Sequence, residues 1–401
     1  MKFIHAGDIH LGNPFVGLRN IPNWAQNLIQ EAGNTAFQRL VADAIAEDVD
    51  FVILPGDLFD GGSLDAQVIL TALNAFEELK AAKIQVVLVY GNHDFMVGQK
   101  RDLPWPDNVF VLAKGEVESR QLMSKHGELV TFSGFSYGQQ HINADMLSQF
   151  PSRNQASKYH IGLYHGELGQ PGQGDYAPFS LTAMNSKHYD YWALGHIHVR
   201  QTLQEQPFIG YSGNLQGLNK NETGHKGYYL VDDASGQLQG RFIDVAPVVW
   251  LQEKLILPAN LAVNDLSNYI RQHVQGDNDN FALITLALSS NDERIQSLLA
   301  NGQLQAQLMQ DSRTQDQWYI WELTYLAAKI EDQLPQLAQA DWQTSVAAVF
   351  TLDNLQALGL KQVVDSELLH EFLQAEKLQE LQTAVSLKIQ TLARGEGSDE
   401  N

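Results

Sequence analysis

The sequence predicts an α/β protein, and three observations carry that reading. Over the first 245 residues, short apolar runs alternate with helical patterns. Each of the early apolar runs ends in a small cluster of Asp, Asn or His beside a glycine. The composition is that of a globular chain, with 401 residues, 44% hydrophobic and 18% charged, long enough for two or three domains with a real core.

The apolar runs predict strands over residues 2–6, 51–54, 85–90, 160–164, 191–194, 207–211 and 227–231. Phe37, Leu40, Val41, Ala44 and Ile45 recur at helical spacing, as do Ile69, Ala72, Leu73 and Phe76, so each set predicts one buried helix face. Pro22 suits the start of a preceding helix. The later strands follow more closely, with Gly-rich turns such as 210–217, which predicts a second, hairpin-rich sheet. Texture changes near Pro247. Residues 247–330 read as helix (261–274), strand (281–288), helix (292–308) and strand (318–326), a small α+β unit. Residues 331–394 read as mainly helical and Gln-rich, and 395–401 as a disordered polar tail. The expected division is therefore 1–246, 247–330, 331–394 and 395–401.

Composition excludes several classes. The chain has no cysteine, so disulfides, zinc fingers and iron–sulfur clusters are out, and a metal must sit on oxygen and imidazole ligands. No apolar stretch reaches the roughly 18 residues of a membrane span, and the start lacks a signal-peptide layout, so a cytoplasmic protein is expected. The net charge is −21, divided as −9 over residues 1–250 and −12 over 251–401. That acidity weakens a nucleic-acid reading without excluding it, because local potential guides a polyanion.

Five polar clusters carry the chemistry. Asp8 and His10 follow the first strand, Asp57 and Asp60 the second, and Asn92, His93 and Asp94 the third. His165 ends the fourth, and His196 and His198 follow the fifth. Alone, an Asp-x-His pair is more often surface decoration, Gly-Asn-His-Asp a turn, and a single His a core residue. Together, all five sit where open α/β sheets build their ligand sites, at the carboxyl ends of strands. Asp8, His10, Asp57, Asn92, His165, His196 and His198 make seven donors, too many for one ion with an open position. A carboxylate bridging two ions would hold a water for in-line attack on a phosphate ester. Mixed carboxylate and imidazole donors suit manganese, iron or zinc better than magnesium or calcium.

The ordered set Asp-x-His, Gly-Asp-x-x-Asp, Gly-Asn-His-Asp, His-Gly and Gly-His-x-His resembles the calcineurin-like metallophosphoesterase superfamily. Within it, Asp-Ile-His-Leu-Gly, Gly-Asp-Leu-Phe-Asp and the tail after Pro247 resemble the SbcD-type DNA repair exonuclease family. Gly213-Asn214-Leu215-Gln216-Gly217 and Asn221-Glu222-Thr223-Gly224 look closest to its YhaO-like branch. The resemblance implies a four-layer αββα sandwich with the metals at one rim, a small α+β cap domain and a C-terminal helical segment. It puts one divalent ion on Asp8, His10, Asp57 and His198 and the second on Asp57, Asn92, His165 and His196, with Mn2+ the expected metal. Asp57 is then the bridge, His93 the proton donor to the leaving group, and Asp60 its carboxylate partner. Asp94 orients the loop. After Gly217 the chain reads Leu-Asn-Lys where the family is more basic, which leaves Lys220 as the DNA contact of that loop. Lys100, Arg101, Arg153, Arg200 and Lys226 are further candidates, each weighed against an ordinary surface charge.

The function so implied is a metal-dependent DNA phosphodiesterase, a 3′-to-5′ exonuclease or endonuclease. Its partners would be DNA, an SbcC/YhaN-like coiled-coil ATPase and, through catalytic-domain helices, a second copy of itself. A phosphatase for small phosphoesters or phosphoproteins, and a non-catalytic adaptor of a repair ATPase, are the competing readings. Ser366 reads as an N-cap, and Leu369, Phe372, Leu381, Val385 and Leu392 form a helical stripe read either as core or as the ATPase-docking face.

Overall fold

The computed structural model describes residues 1–15, 21–61, 65–97, 103–112, 115–170, 172, 174–290, 292, 294–295, 298, 304, 308 and 317–325. Lys100 and Arg101, most of the expected 292–308 helix, and the whole 331–394 segment with its Ser366 cap and Leu369–Leu392 stripe lie outside these residues, as does the 395–401 tail. In chain order the strands are β1 (Lys2–His5), β2 (Phe51–Pro55), β3 (Gln85–Val89), β4 (Val109–Val111), β5 (Glu118–Met123), β6 (Leu129–Gly134), β7 (Tyr159–His165) and β8 (Tyr191–Gly195). They continue as β9 (Gln201–Gln204), β10 (Phe208–Tyr211), β11 (Gly227–Asp232), β12 (Gln239–Asp244), β13 (Val248–Leu257), β14 (Phe281–Ser290) and β15 (Trp318–Tyr325). The helices are α1 (Asn23–Gln30), α2 (Ala32–Ala46), α3 (Ala66–Ala81), α4 (Leu181–Asn185) and α5 (Leu266–His273).

Two six-stranded sheets stand at the centre of the first compact unit, which spans Met1–Gln252 together with Gln275–Thr285 and residues 317–321. One sheet runs β12-β11-β1-β2-β3-β4, the other β5-β6-β7-β8-β10-β9. In the first, β1, β2, β3 and β4 are parallel neighbours, and in the second β6, β7, β8 and β10 are. Parallel strands are covered on both faces, and the side-chain alternation shows by what. Phe3, Phe51, Ile53, Val87 and Val89 face inward and share one core with Val130, Phe132, Ile161, Leu163 and Ala193 of the other sheet. Phe51 and Phe132 meet edge to face there, ring centroids 5.0 Å apart. The alternate residues Ile4, Val52, Leu54, Val86 and Leu88 pack on Phe37, Leu40 and Val41 of α2 and Phe76 and Leu79 of α3. On the far face of the second sheet, Tyr164, Trp192, Leu194 and Ile209 pack on Leu147, Phe150 and Met184. Helices, sheet, sheet, helices: the expected four-layer sandwich is what forms.

Details differ from the sequence reading. On α2, Ile45 is 40% exposed and does not join the buried face. On α3 the buried residues are Ala72, Ala75, Phe76 and Leu79, so its face is turned by one residue from Ile69 and Leu73. The strands β4, β5, β6, β9, β12 and β13 have no counterpart among the predicted runs. Five of these, all but β6, are sheet edges, and β5, with Ser119, Arg120, Gln121 and Met123 exposed, lacks the apolar run that marks a central strand. The second compact unit includes Glu253–Val274 and so carries α5, which buries Leu266 and Ile270. Strands β13, β14 and β15 pair in that order as a third sheet. Among the described residues, no helix is long and apolar enough to cross a membrane.

Candidate metal centre

Strands β1, β2, β3, β7 and β8 end at one rim, and the five polar clusters meet there. The backbone turns sharply to bring this about. Asp8, His10, Asp57 and His196 all have positive φ, between 50° and 100°, a region non-glycine residues seldom enter. The turns are held by main-chain bonds from Asp8 N to Gly56 O (3.2 Å) and from His10 N to Asp57 O (3.0 Å). Asp94 ties two of the loops, its carboxylate accepting Leu58 N at 2.8 Å and Gly91 N at 2.6 Å. Gly91 is required by space, since a Cβ there would lie 2.2 Å from Asp57 Oδ1.

Two patches of lone pairs result. In the first, His165 Nδ1 donates to Pro55 O at 3.0 Å, because a carbonyl can only accept. In the neutral ring that leaves His165 Nε2 as a lone pair, 2.9 Å from Asn92 Oδ1 and 3.3 Å from Asp57 Oδ2. His196 Nδ1 lies 3.2 Å from the same Asn92 oxygen. In the second patch, His10 Nδ1 donates to Asp60 Oδ1 at 3.1 Å, so in the neutral ring Nε2 is the lone-pair nitrogen. It faces His198 Nε2 at 3.0 Å and Asp57 Oδ2 at 3.7 Å. Asp8, His10 and His198 place ligand atoms within 4.8 Å of one another, and so do Asp8, Asp57 and His165. Acceptor facing acceptor at these distances is repulsive unless a positive charge sits between them. Against burial, which lowers it, Asp57 and Asp8 push the His165 imidazole up to about 9, so this point calls for a proton or a metal cation. Oxygen and imidazole donors of this kind fit divalent transition metals.

Residues 1–200 match the family model of the calcineurin-like phosphoesterases. The chain carries a calcineurin-like phosphoesterase domain. It is 34% identical over 252 residues to the uncharacterized metallophosphoesterase YhaO of Bacillus subtilis, covering 62% of each chain. It is 25% identical over 271 residues to the DNA double-strand break repair protein Mre11 of Methanopyrus kandleri, covering 61% of this chain and 57% of that one. The corresponding Mre11 of Methanocaldococcus jannaschii is 26% identical over 252 residues, 59% of this chain and 64% of that one. The match thus spans about three fifths of the length of each of these relatives.

Within the phosphoesterase domain, His93 stands apart from both patches. Its side chain is 45% exposed, while its backbone N donates to Asp57 Oδ1 at 2.9 Å. Asp60 raises the His93 imidazole above its ordinary value, from an Nδ1-to-Oδ1 distance of 3.5 Å. Asp60 lies nearer to His10 than to His93, and its other oxygen accepts Asn13 Nδ2 at 2.9 Å. It serves both imidazoles, which stand edge to face with centroids 4.8 Å apart.

Other residues appear that the sequence reading did not assign. Glu222 Oε1 accepts from His198 Nδ1 at 3.0 Å. Burial raises the Glu222 carboxyl, but His198 and the neighbouring donors outweigh this and bring it to about 2. Tyr176 lies against His196, centroids 4.4 Å apart. Two expected DNA contacts are otherwise engaged. Lys226 is 6% exposed and donates to His198 O at 2.8 Å, which makes it part of the wall of the site. Arg153 is bonded to Asp190 Oδ2, Asn154 O and Lys158 O. Arg200 is exposed and lies over the Phe242 ring at 3.8 Å.

Proposed function

We propose that this metallophosphoesterase hydrolyses DNA phosphodiesters with two divalent ions. The observation that carries the hydrolase reading is the pair of facing lone-pair sets, His10 Nε2 to His198 Nε2 and His165 Nε2 to Asn92 Oδ1. The likeness to two archaeal Mre11 proteins, named for double-strand break repair, supports DNA as the substrate. In this proposal Asp8, His10, Asp57 and His198 hold one ion, and Asp57, Asn92, His165 and His196 the other, with Mn2+ the first choice and Fe or Zn the next. Bound there, the ions supply Lewis-acid polarisation of the phosphate and a lowered pKa for water. The protein's residues do the remainder. Asp57, whose Oδ2 faces both His165 Nε2 and His10 Nε2, would offset charge on both ions. His93 holds a proton at the open edge and delivers it to the leaving oxygen, and Asp60 keeps its Nδ1 occupied. A 3′-to-5′ polarity, an SbcC/YhaN-like ATPase partner, self-association, a cytoplasmic location and the four-part division at 246, 330 and 394 belong to the same proposal.

The test compares bis-(p-nitrophenyl) phosphate with the monoester in Mn2+, followed by end-labelled single- and double-stranded DNA. Diester preference and metal-dependent shortening of DNA support the nuclease. Monoester preference would make it a phosphatase, and silence on all substrates an adaptor.

A further inference from the structure

We propose that Glu222 is a positioning residue for the metal centre, setting the tautomer and orientation of His198. The proposal rests on the dimetal reading above and deepens it.

The two short segments around Asn214 and Glu222 lie far from the strand-end clusters in sequence, yet both close on His198. Asn214 N donates to His198 O at 3.3 Å, and Lys226 Nζ donates to the same oxygen at 2.8 Å. The main chain of His198 is thereby gripped. The ring is held separately, by His198 Nδ1 to Glu222 Oε1 at 3.0 Å. A carboxylate only accepts, so the neutral His198 ring carries its proton on Nδ1 and presents Nε2 as the lone pair. Nε2 is the atom that faces His10 Nε2. Had Glu222 been a donor, the same ring would carry its proton on Nε2 and could not bind a cation there.

The surroundings of Glu222 require a carboxylate. Oε1 also accepts Asn219 Nδ2 at 2.8 Å, and Oε2 accepts Asn214 Nδ2 at 2.5 Å and Leu218 N at 2.9 Å. Both oxygens thus face two donors each, and an amide in this place would set its NH2 against donors. The side chain is 13% exposed, so water does little to relieve a lost partner. The Leu218–Glu222 stretch, expected from sequence to be a weakened DNA-contacting loop, folds back as a clamp on this carboxylate. Carboxylate partners of metal-binding imidazoles fix ring orientation and raise basicity, and removing one typically weakens metal binding about 10–100-fold.

The experiment uses the full chain. In the metal-free protein, 15N NMR of the histidine side chains reads the His198 tautomer, with His198→Gln assigning the signal. Wild type is expected to show Nδ1–H and a bare Nε2. Glu222→Gln is expected to lose that preference, and in calorimetric Mn2+ titration to weaken one binding step about 10–100-fold while the other changes less than threefold. Glu222→Asp, with the carboxylate withdrawn, should fall between. A neutral ring with Nε2–H and a bare Nδ1 in wild type overturns the proposal without any variant, so failure of Glu222→Gln to fold does not shelter it. Unchanged tautomer and affinity in a folded Glu222→Gln would reduce the residue to a loop tether. If wild type binds no divalent metal, the dimetal reading falls, while the tautomer measurement still decides the role of Glu222.

Discussion

His93 and Asp57 sit 36 positions apart and meet through one hydrogen bond, yet they should fail in different ways when replaced. Asp57 presents Oδ2 to both His165 and His10, so Asp57→Asn removes the negative charge of the ligand that two cations would share. Metal content by elemental analysis should drop and turnover fall by orders of magnitude. Two ions per chain with near-normal turnover in this variant would sink the dimetal mechanism. His93 is exposed at the edge, held by its backbone and by Asp60, and His93→Ala should keep its metal. Its rate on DNA should fall about 10²–10⁴-fold, and less on p-nitrophenyl esters, whose leaving group hardly needs a proton. Equal losses on both substrates, or loss of metal, would remove His93 from the role of acid.

At the scale of elements, the two sheets are tied close to the site by a buried histidine. His5 of β1 is fully buried, donating from Nε2 to Leu194 O at 3.1 Å and accepting Tyr191 OH at Nδ1, 3.0 Å away, both from β8. Burial lowers its imidazole to about 4, and burial lowers His160 of β7 likewise. Between pH 6.5 and 4 the unfolded chain therefore binds protons that the folded chain refuses. The contribution of these histidines is fully present above about pH 6.5 and is lost as pH falls toward 4, by up to about 3 kcal/mol for His5. Urea unfolding in chelator should show this slope, and His5→Gln, which cannot titrate, should flatten it; a parallel slope in the variant would exclude His5 as a source. The loop after β3 offers a second element-scale test. Gly91→Ala forces a Cβ into Asp57 Oδ1, and is expected to lower metal content while leaving the β-sheet circular dichroism intact. Normal metal binding in Gly91→Ala would mean that the loop gives way more easily than its packing suggests.

For the whole molecule, a rim of mutually repelling acceptors means that bound cations should stabilise the fold. A ligand that binds only the folded state at 100 times its Kd contributes about 2.7 kcal/mol. Thermal unfolding in saturating Mn2+ should therefore lie several degrees above that in EDTA. Asp57→Asn should show a smaller difference. No difference in wild type would mean that the site is stable without cations and that the acceptor repulsion is relieved by protons alone.

The parts of the site that could be read from sequence are those in which the chemistry and its scaffold are neighbours along the chain. Asp8, His10, Asp57, Asn92, His165, His196 and His198 each stand within five residues of an apolar run that names its own strand, and the parallel strands of one sheet end at one edge. The sandwich core was legible for the same reason: Phe51, Val52, Ile53 and Leu54 are buried on both faces, so the run is continuous. The edge strands β5 and β12 were not legible, because a strand with one wet face and a sheet edge carries little apolar signal. Nor was the work of Glu222 and Lys226. They lie 24 and 28 residues beyond His198, and nothing local marks a carboxylate as an imidazole's partner. Lys226 even read as a surface cation. Only the order β8-β10 in one sheet and β11-β1 in the other returns that segment to the rim. Sequence determined which atoms could bind a metal; the packing of the sheets decided which nitrogen of each ring faces inward, because the tautomer depends on a partner that only tertiary structure supplies.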